Sequence, residues 1–268
     1  MNSRVLDRAV IYSSAVILAV WVLVPFALIA ISAFTPQSRV LDYPKPLIPS
    51  SLSIASVQFF IESGGIIPSV LNSLVVALLT IVFGLALSAP AGYALARFRF
   101  RGRRAFQGVV LVAKMFPIAI LAIPLAVTFV QLGLYDSLIS VALVHAALAL
   151  PFMILIVGGV FVAVSHEIEE AAQTLGCSRW GAFLRVALPS ALPGLVAASI
   201  FAFVISWNEV FAASILTVRM RTLPAQVLAS LSTSPLAFKF AAGLFMVLPA
   251  VVFILLIRRY LMKLWGPR

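Results

Sequence analysis

Charge is the scarcest property of this 268-residue chain: 10% of residues are Asp, Glu, Lys or Arg, and only 8 are acidic. Soluble domains carry about 25% charged residues. With 63% hydrophobic residues and a mean hydropathy of +1.16, the composition predicts an all-α polytopic membrane protein. Cysteine is nearly absent, and the lone Cys177 excludes an internal disulfide. His145 and His166, the two histidines, stand far apart and outside any CxxC or HExxH context, so no metal site is expected. There is no GxxxxGK(S/T) phosphate loop, hence no expected ATP site, catalytic residue or cofactor of the chain's own. A net charge of +11 would suggest nucleic acid in a soluble protein. Here the basic residues sit in loops between apolar runs, as membrane topology requires, and no nucleic-acid partner is expected.

What the chain does have is long apolar runs. Residues 9–38 are free of Asp and Glu, follow Arg4 and Arg8, and outlast the roughly 7 to 15 apolar residues of a signal peptide, which predicts a retained first helix. Proline-rich residues 43–49 predict an extended linker, and a non-spanning segment follows near 57–62. Further spans are expected at about 70–95, 106–132, 138–164, 194–216 and 240–257, each near the roughly 20 residues that cross a hydrocarbon core. Residues 222–238, with Pro224 and Pro235, read as an external loop, partly re-entrant. The division is a first helix and external linker over 1–69, and a core over 70–268 with a polar loop at about 165–193. Six spans put both termini on one side. That side, with Arg97-Phe98-Arg99-Phe100-Arg101-Gly102-Arg103-Arg104 and the polar loop, holds 13 of the 19 Lys and Arg, against 5 opposite. The excess assigns the termini and the loop to the cytoplasm, and lipid to the arginine run as an anionic anchor.

The polar loop carries three of the eight acidic residues, Glu167, Glu169 and Glu170. Ile168, Ala171, Ala172 and Leu175 follow the spacing of one apolar helix face. Ser165 is an N-cap candidate, Gly176 a stop, and a second amphipathic turn over Trp180, Phe183, Leu184 and Ala187 ends at Pro189. A lipid-lying pair would carry Lys and Arg instead of glutamates, and a mere connector would be about 2 to 8 residues long. The pattern fits a partner protein with a basic groove.

Glu170-Ala171-Ala172, three residues, Gly176, nine residues, then Val186-Ala187-Leu188-Pro189 resembles the EAA loop of permease subunits of binding-protein-dependent ABC importers. Gly92 to Phe100, Leu188-Pro189 to Pro193-Gly194, Trp207-Asn208-Glu209 and Thr222-Leu223-Pro224 resemble the maltose-type, six-helix carbohydrate branch. The resemblance implies a type I ABC importer permease fold in a bacterial or archaeal cytoplasmic (inner) membrane. It implies a second permease subunit, a cytoplasmic ATPase dimer holding ATP and Mg, an extracytoplasmic solute-binding protein and a carbohydrate substrate. ATPase coupling falls on Glu170, Ala171, Ala172, Leu175, Gly176, Leu188 and Pro189. Three departures are visible: Val186 where Ile is usual, Leu175-Gly176-Cys177 where Asp-Gly-Ala is common, and a tail ending Leu264-Trp265-Gly266-Pro267-Arg268 in place of a longer glycine-rich one. An ATP-independent secondary transporter or channel is the alternative, and it leaves the acidic loop without a purpose.

Lys114, Asn208 and Glu209 are the translocation-path candidates, because a charge deep in an apolar helix costs about 2.5 to 3.5 kcal/mol unless it faces a partner or water. Phe116, Phe129, Phe152 and Trp207 are candidate sugar-stacking rings, set against the plain packing that 20 phenylalanines demand.

Overall fold

The computed structural model describes residues 3–44 and 51–265, with side chains over 7–44 and 51–255. Among them it is helical: α1 (Ser3–Ala33), α2 (Ala55–Glu62), α3 (Ile66–Arg97), α4 (Arg103–Ala113), α5 (Ile118–Gln131), α6 (Leu138–Ala163) and α7 (His166–Thr174). There follow α8 (Arg179–Ser190), α9 (Leu192–Asn208), α10 (Phe211–Leu216), α11 (Leu223–Ser230) and α12 (Leu236–Trp265). Most of the 43–49 linker and the last three residues of the tail lie outside the described residues.

Among the described residues four helices are long and apolar enough to cross a membrane: Asp7–Ala33, Ile66–Arg97, Leu138–Ala163 and Leu236–Leu255. Two bent pairs, α4 with α5 at 89° and α8 with α9 at 73°, raise the number to six if each pair is one span. Two compact units divide the chain, Met1–Ile66 with Ser230–Leu248 and Ile67–Ala229 with Pro249–Arg268. In the first, Phe60 is fully buried against Phe238 and Phe245, with ring centroids 4.9 and 5.0 Å away.

The second unit is built on α3, α6 and α9. Its buried residues are mostly small or slender, among them Ala149, Val157, Leu195, Ala198 and Ala202. Lipid tails are as apolar as leucine, so helices in a bilayer associate by close packing, which small side chains permit. At Gly92 the approach is closest to backbone: a Cβ there would lie 2.8 Å from the Gly158 amide nitrogen of α6. At its ordinary rise α3 is about 48 Å long, more than the roughly 30 Å of hydrocarbon. A helix of that length has turns to spare beyond such a layer.

Two expectations from the sequence are corrected here, and a third gains detail. The helix expected at 106–132 is two helices, because Pro117 lacks an N–H and stands in an extended conformation (ψ 125°) between them. The helix expected to run to 216 stops at Asn208, since the Glu209 side chain takes the Ala212 and Ala213 amides at 2.9 and 3.1 Å and starts α10. The loop expected at 222–238 holds α11, whose Leu223, Pro224 and Ala225 are buried.

Candidate functional site

The loop after α6 forms as its capping residues dictate. The Ser165 hydroxyl accepts the Glu167 amide (3.3 Å) at the start of α7, and that of Ser178 accepts the Gly181 amide (3.1 Å) at the start of α8. Between them Gly176 has φ +91°, a left-handed value that a β-carbon resists. A π-helical turn over Phe183–Ala187 then offsets α8 just before Leu188 and Pro189.

Amphipathic patterning ordinarily buries the apolar face; here Phe183 and Ala187 are buried, while the rest of that face is left outside. Ile168 is 53% exposed, Leu175 88%, Trp180 62% and Leu184 44%. Ala171 is exposed, Ala172 and Leu188 are half-buried and Pro189 is exposed. The buried residue of α7 is an acid, Glu169, at 1% exposure. Glu170, its neighbour, is exposed and pairs with His166 one turn back at 3.0 Å.

Sequence reasoning missed Glu169. Arg97, at the end of α3, places Nη2 2.6 Å and Nε 2.8 Å from Glu169 Oε1, and the Tyr93 hydroxyl donates to Oε2 at 2.7 Å. The same guanidinium donates to the carbonyl of Val164, the C-cap of α6, at 2.8 Å. Aromatic rings surround the pair: Tyr93 lies 4.6 Å from Phe183 and 5.3 Å from Phe161. A cavity of about 660 Å³ opens beside it, walled by Tyr93, Phe98, Glu170, Arg179 and Trp180. The signal available beforehand was that Glu169 falls one residue off the exposed face of Glu170 and that Arg97 closes an apolar helix.

The three pathway candidates are not brought together. Lys114 donates to the Leu148 carbonyl at 3.0 Å and lies 5.4 Å from the Phe152 ring centre, at the edge of a cavity of about 370 Å³ lined by Phe116 and Phe129. Pro151 lies close by: its missing amide leaves the Ala147 carbonyl, one residue before this acceptor, without its ladder partner and loosens α6 there. Asn208 is exposed and bonds back to the Val204 carbonyl at 2.8 Å. Glu209 meets a residue that sequence reasoning set aside, fully buried His145, whose Nε2 lies 3.0 Å from Oε2. His145 Nδ1 lies 2.9 Å from Ser206 Oγ, which accepts from Thr80 at 3.3 Å, so a polar seam joins α6, α9 and α3. Trp207 is fully buried and Phe203 stacks on it.

At the other end of α6, Asp136 Oδ1 accepts the amides of Val218, Arg219 and Met220 at 2.8 to 3.0 Å. Partial burial pushes its carboxyl up, but the three amides and the Arg219 charge outweigh that and hold it below the usual aspartate value. The start of α3 joins the same region: Asn72 donates to the Arg221 carbonyl at 3.0 Å and Ser73 accepts the Leu223 amide at 2.7 Å. Among the described residues no group of three His, Cys, Asp or Glu is placed to hold a metal.

The chain is thus a helical bundle with several membrane-length apolar helices and an exposed apolar stripe on a capped two-helix loop. The chain belongs to the family of binding-protein-dependent transport system inner membrane components, whose profile matches residues 84–265. It is a multi-pass inner-membrane permease subunit of the ABC importer class. It is 33% identical over 196 residues to the diacetylchitobiose uptake system permease protein DasC of Streptomyces coelicolor, 73% of this chain and 71% of that one. It is 31% identical over 245 residues to the trehalose transport system permease protein SugB of Mycobacterium tuberculosis, 89% of each. Among solved structures, a chain of a bacterial ABC transporter involved in import of the acidic polysaccharide alginate shares its fold, with a TM-score of 0.73, 22% identity and 98% coverage of both chains.

Proposed function

We propose that the chain is the transmembrane subunit of an ATP-driven sugar importer, forming half of the translocation pathway and receiving ATPase motion through the loop of α7 and α8. The sugar reading is supported by relatives named for diacetylchitobiose and trehalose. Six spans, counting each bent pair once, put both termini in the cytoplasm. Residues 1–69 supply the first helix and external linker, and 70–268 the core. A second permease subunit completes the pathway, a cytoplasmic ATPase dimer holds ATP and Mg, and an extracytoplasmic solute-binding protein delivers the carbohydrate. A neighbouring fold is known from a complex with an alginate pentasaccharide-bound periplasmic protein, which supports the last of these.

The observation that carries the proposal is the stripe of Ile168, Leu175, Trp180 and Leu184, exposed around the Gly176 elbow. Apolar surface of this kind favours a protein cleft, and the two exposed glutamates, Glu167 and Glu170, disfavour anionic lipid. In this reading Glu170, Ala171, Ala172, Leu175, Gly176, Leu188 and Pro189 form the contact, and Glu170 pairs with an ATPase arginine. Lys114, Asn208 and Glu209 belong to the pathway side, a view supported by the cavity beside Lys114 and the exposure of Asn208.

The test is Glu170→Lys and Gly176→Val in the complex expressed with its second permease and ATPase. Each variant is expected to lose ATPase on purification or to hydrolyse ATP without moving sugar. Normal ATPase retention with full transport in both removes the loop from the mechanism. Transport by this chain without any ATPase sinks the importer reading.

A further inference from the structure

We infer that Arg97, Glu169 and Tyr93 form the joint through which the loop moves α3, a reading that rests on the loop being the ATPase docking element. Both carboxylate oxygens of Glu169 are taken by α3, Oε1 by Arg97 and Oε2 by Tyr93. The exposed apolar stripe of the loop is left for the partner, so α7 offers one face outward and one carboxylate inward. Arg97 also holds the Val164 carbonyl, and one planar group thereby ties the ends of α3 and α6 to the loop.

A buried ion pair is a poor device for stability alone, because desolvation offsets most of the Coulomb attraction and apolar residues would fill the space as well. What the guanidinium supplies is direction: Nε and Nη2 converge on Glu169 Oε1 and fix distance and angle together, where apolar side chains slide. The side chains of Arg97 and Glu169 are 7% and 1% exposed, so little of the pair faces solvent. Displacement of α7 is then carried into α3. That helix delivers it to Thr80, bonded to Ser206 in the polar seam, and to Asn72 and Ser73, bonded to the segment around Arg221 and Leu223. Arg97 and Glu169 act as positioning residues, through the helix they tie to the loop.

The experiment uses the complete transporter, with both permeases, the ATPase dimer and the solute-binding protein, in proteoliposomes. It reads ATPase retained on purification and sugar moved per ATP hydrolysed. Glu169→Gln keeps the shape and removes the charge. It is expected to keep ATPase retention and hydrolysis while sugar per ATP falls about tenfold, the size of an ordinary coupling free energy. Arg97→Glu combined with Glu169→Arg is expected to recover part of that loss. A ratio for Glu169→Gln within about twofold of the unaltered transporter overturns the joint. If that variant does not assemble, Arg97→Lys, which keeps the charge and loses the fork, is measured instead, and the same twofold criterion overturns the proposal. Failure of the unaltered chain to retain ATPase overturns the docking reading, and the joint with it.

Discussion

The two ends of α6 hold their carboxylates by different means. At the end that leads into the loop, Glu169 is neutralised by a side chain 72 residues away, Arg97, inside an aromatic wall. Near the other end, Asp136 is held by three successive backbone amides, and partway along the helix Glu209 is held by two amides and His145. Amide cradles fix the local path of a chain, since the donors belong to the backbone being shaped. A guanidinium on another helix fixes the relation between elements that must move together. One end is built to hold shape and the other to hold a connection.

The contrast breaks first at Arg97. Arg97→Ala leaves a buried carboxylate unpaired, and a loss of about 3 to 5 kcal/mol is expected, read as a fall in the melting temperature of the purified complex. Adding Glu169→Ala should return part of it, because the stranded charge is then gone. A melting temperature equal to that of the unaltered complex would mean that water reaches the pair. Next comes Glu209→Gln, which keeps a bond to His145 and weakens the cap of α10. About 1 to 2 kcal/mol is expected, together with faster amide exchange at Ala212 and Ala213. Unchanged exchange at those two amides would show that packing, not the carboxylate, sets the helix break.

The smallest effect belongs to Asp136→Asn, under about 1 kcal/mol because solvent screens a half-exposed group. Its sign with pH is fixed. The folded carboxyl titrates below its unfolded value, so its contribution is present above the ordinary aspartate range near about 4 and is lost as pH falls through the lower folded value. Asp136→Asn should therefore flatten the acid side of the stability profile, its small loss showing at neutral pH and vanishing at low pH. A steeper acid limb in the variant would contradict the amide cradle.

Legibility in the sequence followed the range of the interactions. The loop could be read because capping and helical periodicity are local: Ser165, Gly176 and the spacing of Ile168, Ala171, Ala172 and Leu175 all act within a few residues. The helix break at Pro117 had a local cause and still went unread, since apolar composition continued on both sides of it. The break at Glu209 had none, because a glutamate caps a helix only when the chain turns back on its carboxylate. His145 was set aside as a lone histidine, and nothing within several residues of it marks Glu209 as its partner.

By itself, then, the sequence determined the membrane class, the apolar runs and the capped two-helix loop, since hydropathy and capping depend on neighbours along the chain. Which glutamate faces outward and which is locked inside was decided only by tertiary structure. Glu169 and Glu170 are adjacent and chemically identical, and about 100° of helical rotation separates them. That rotation matters only once Arg97, 72 residues earlier, has been carried to the same place by the packing of α3 against α6.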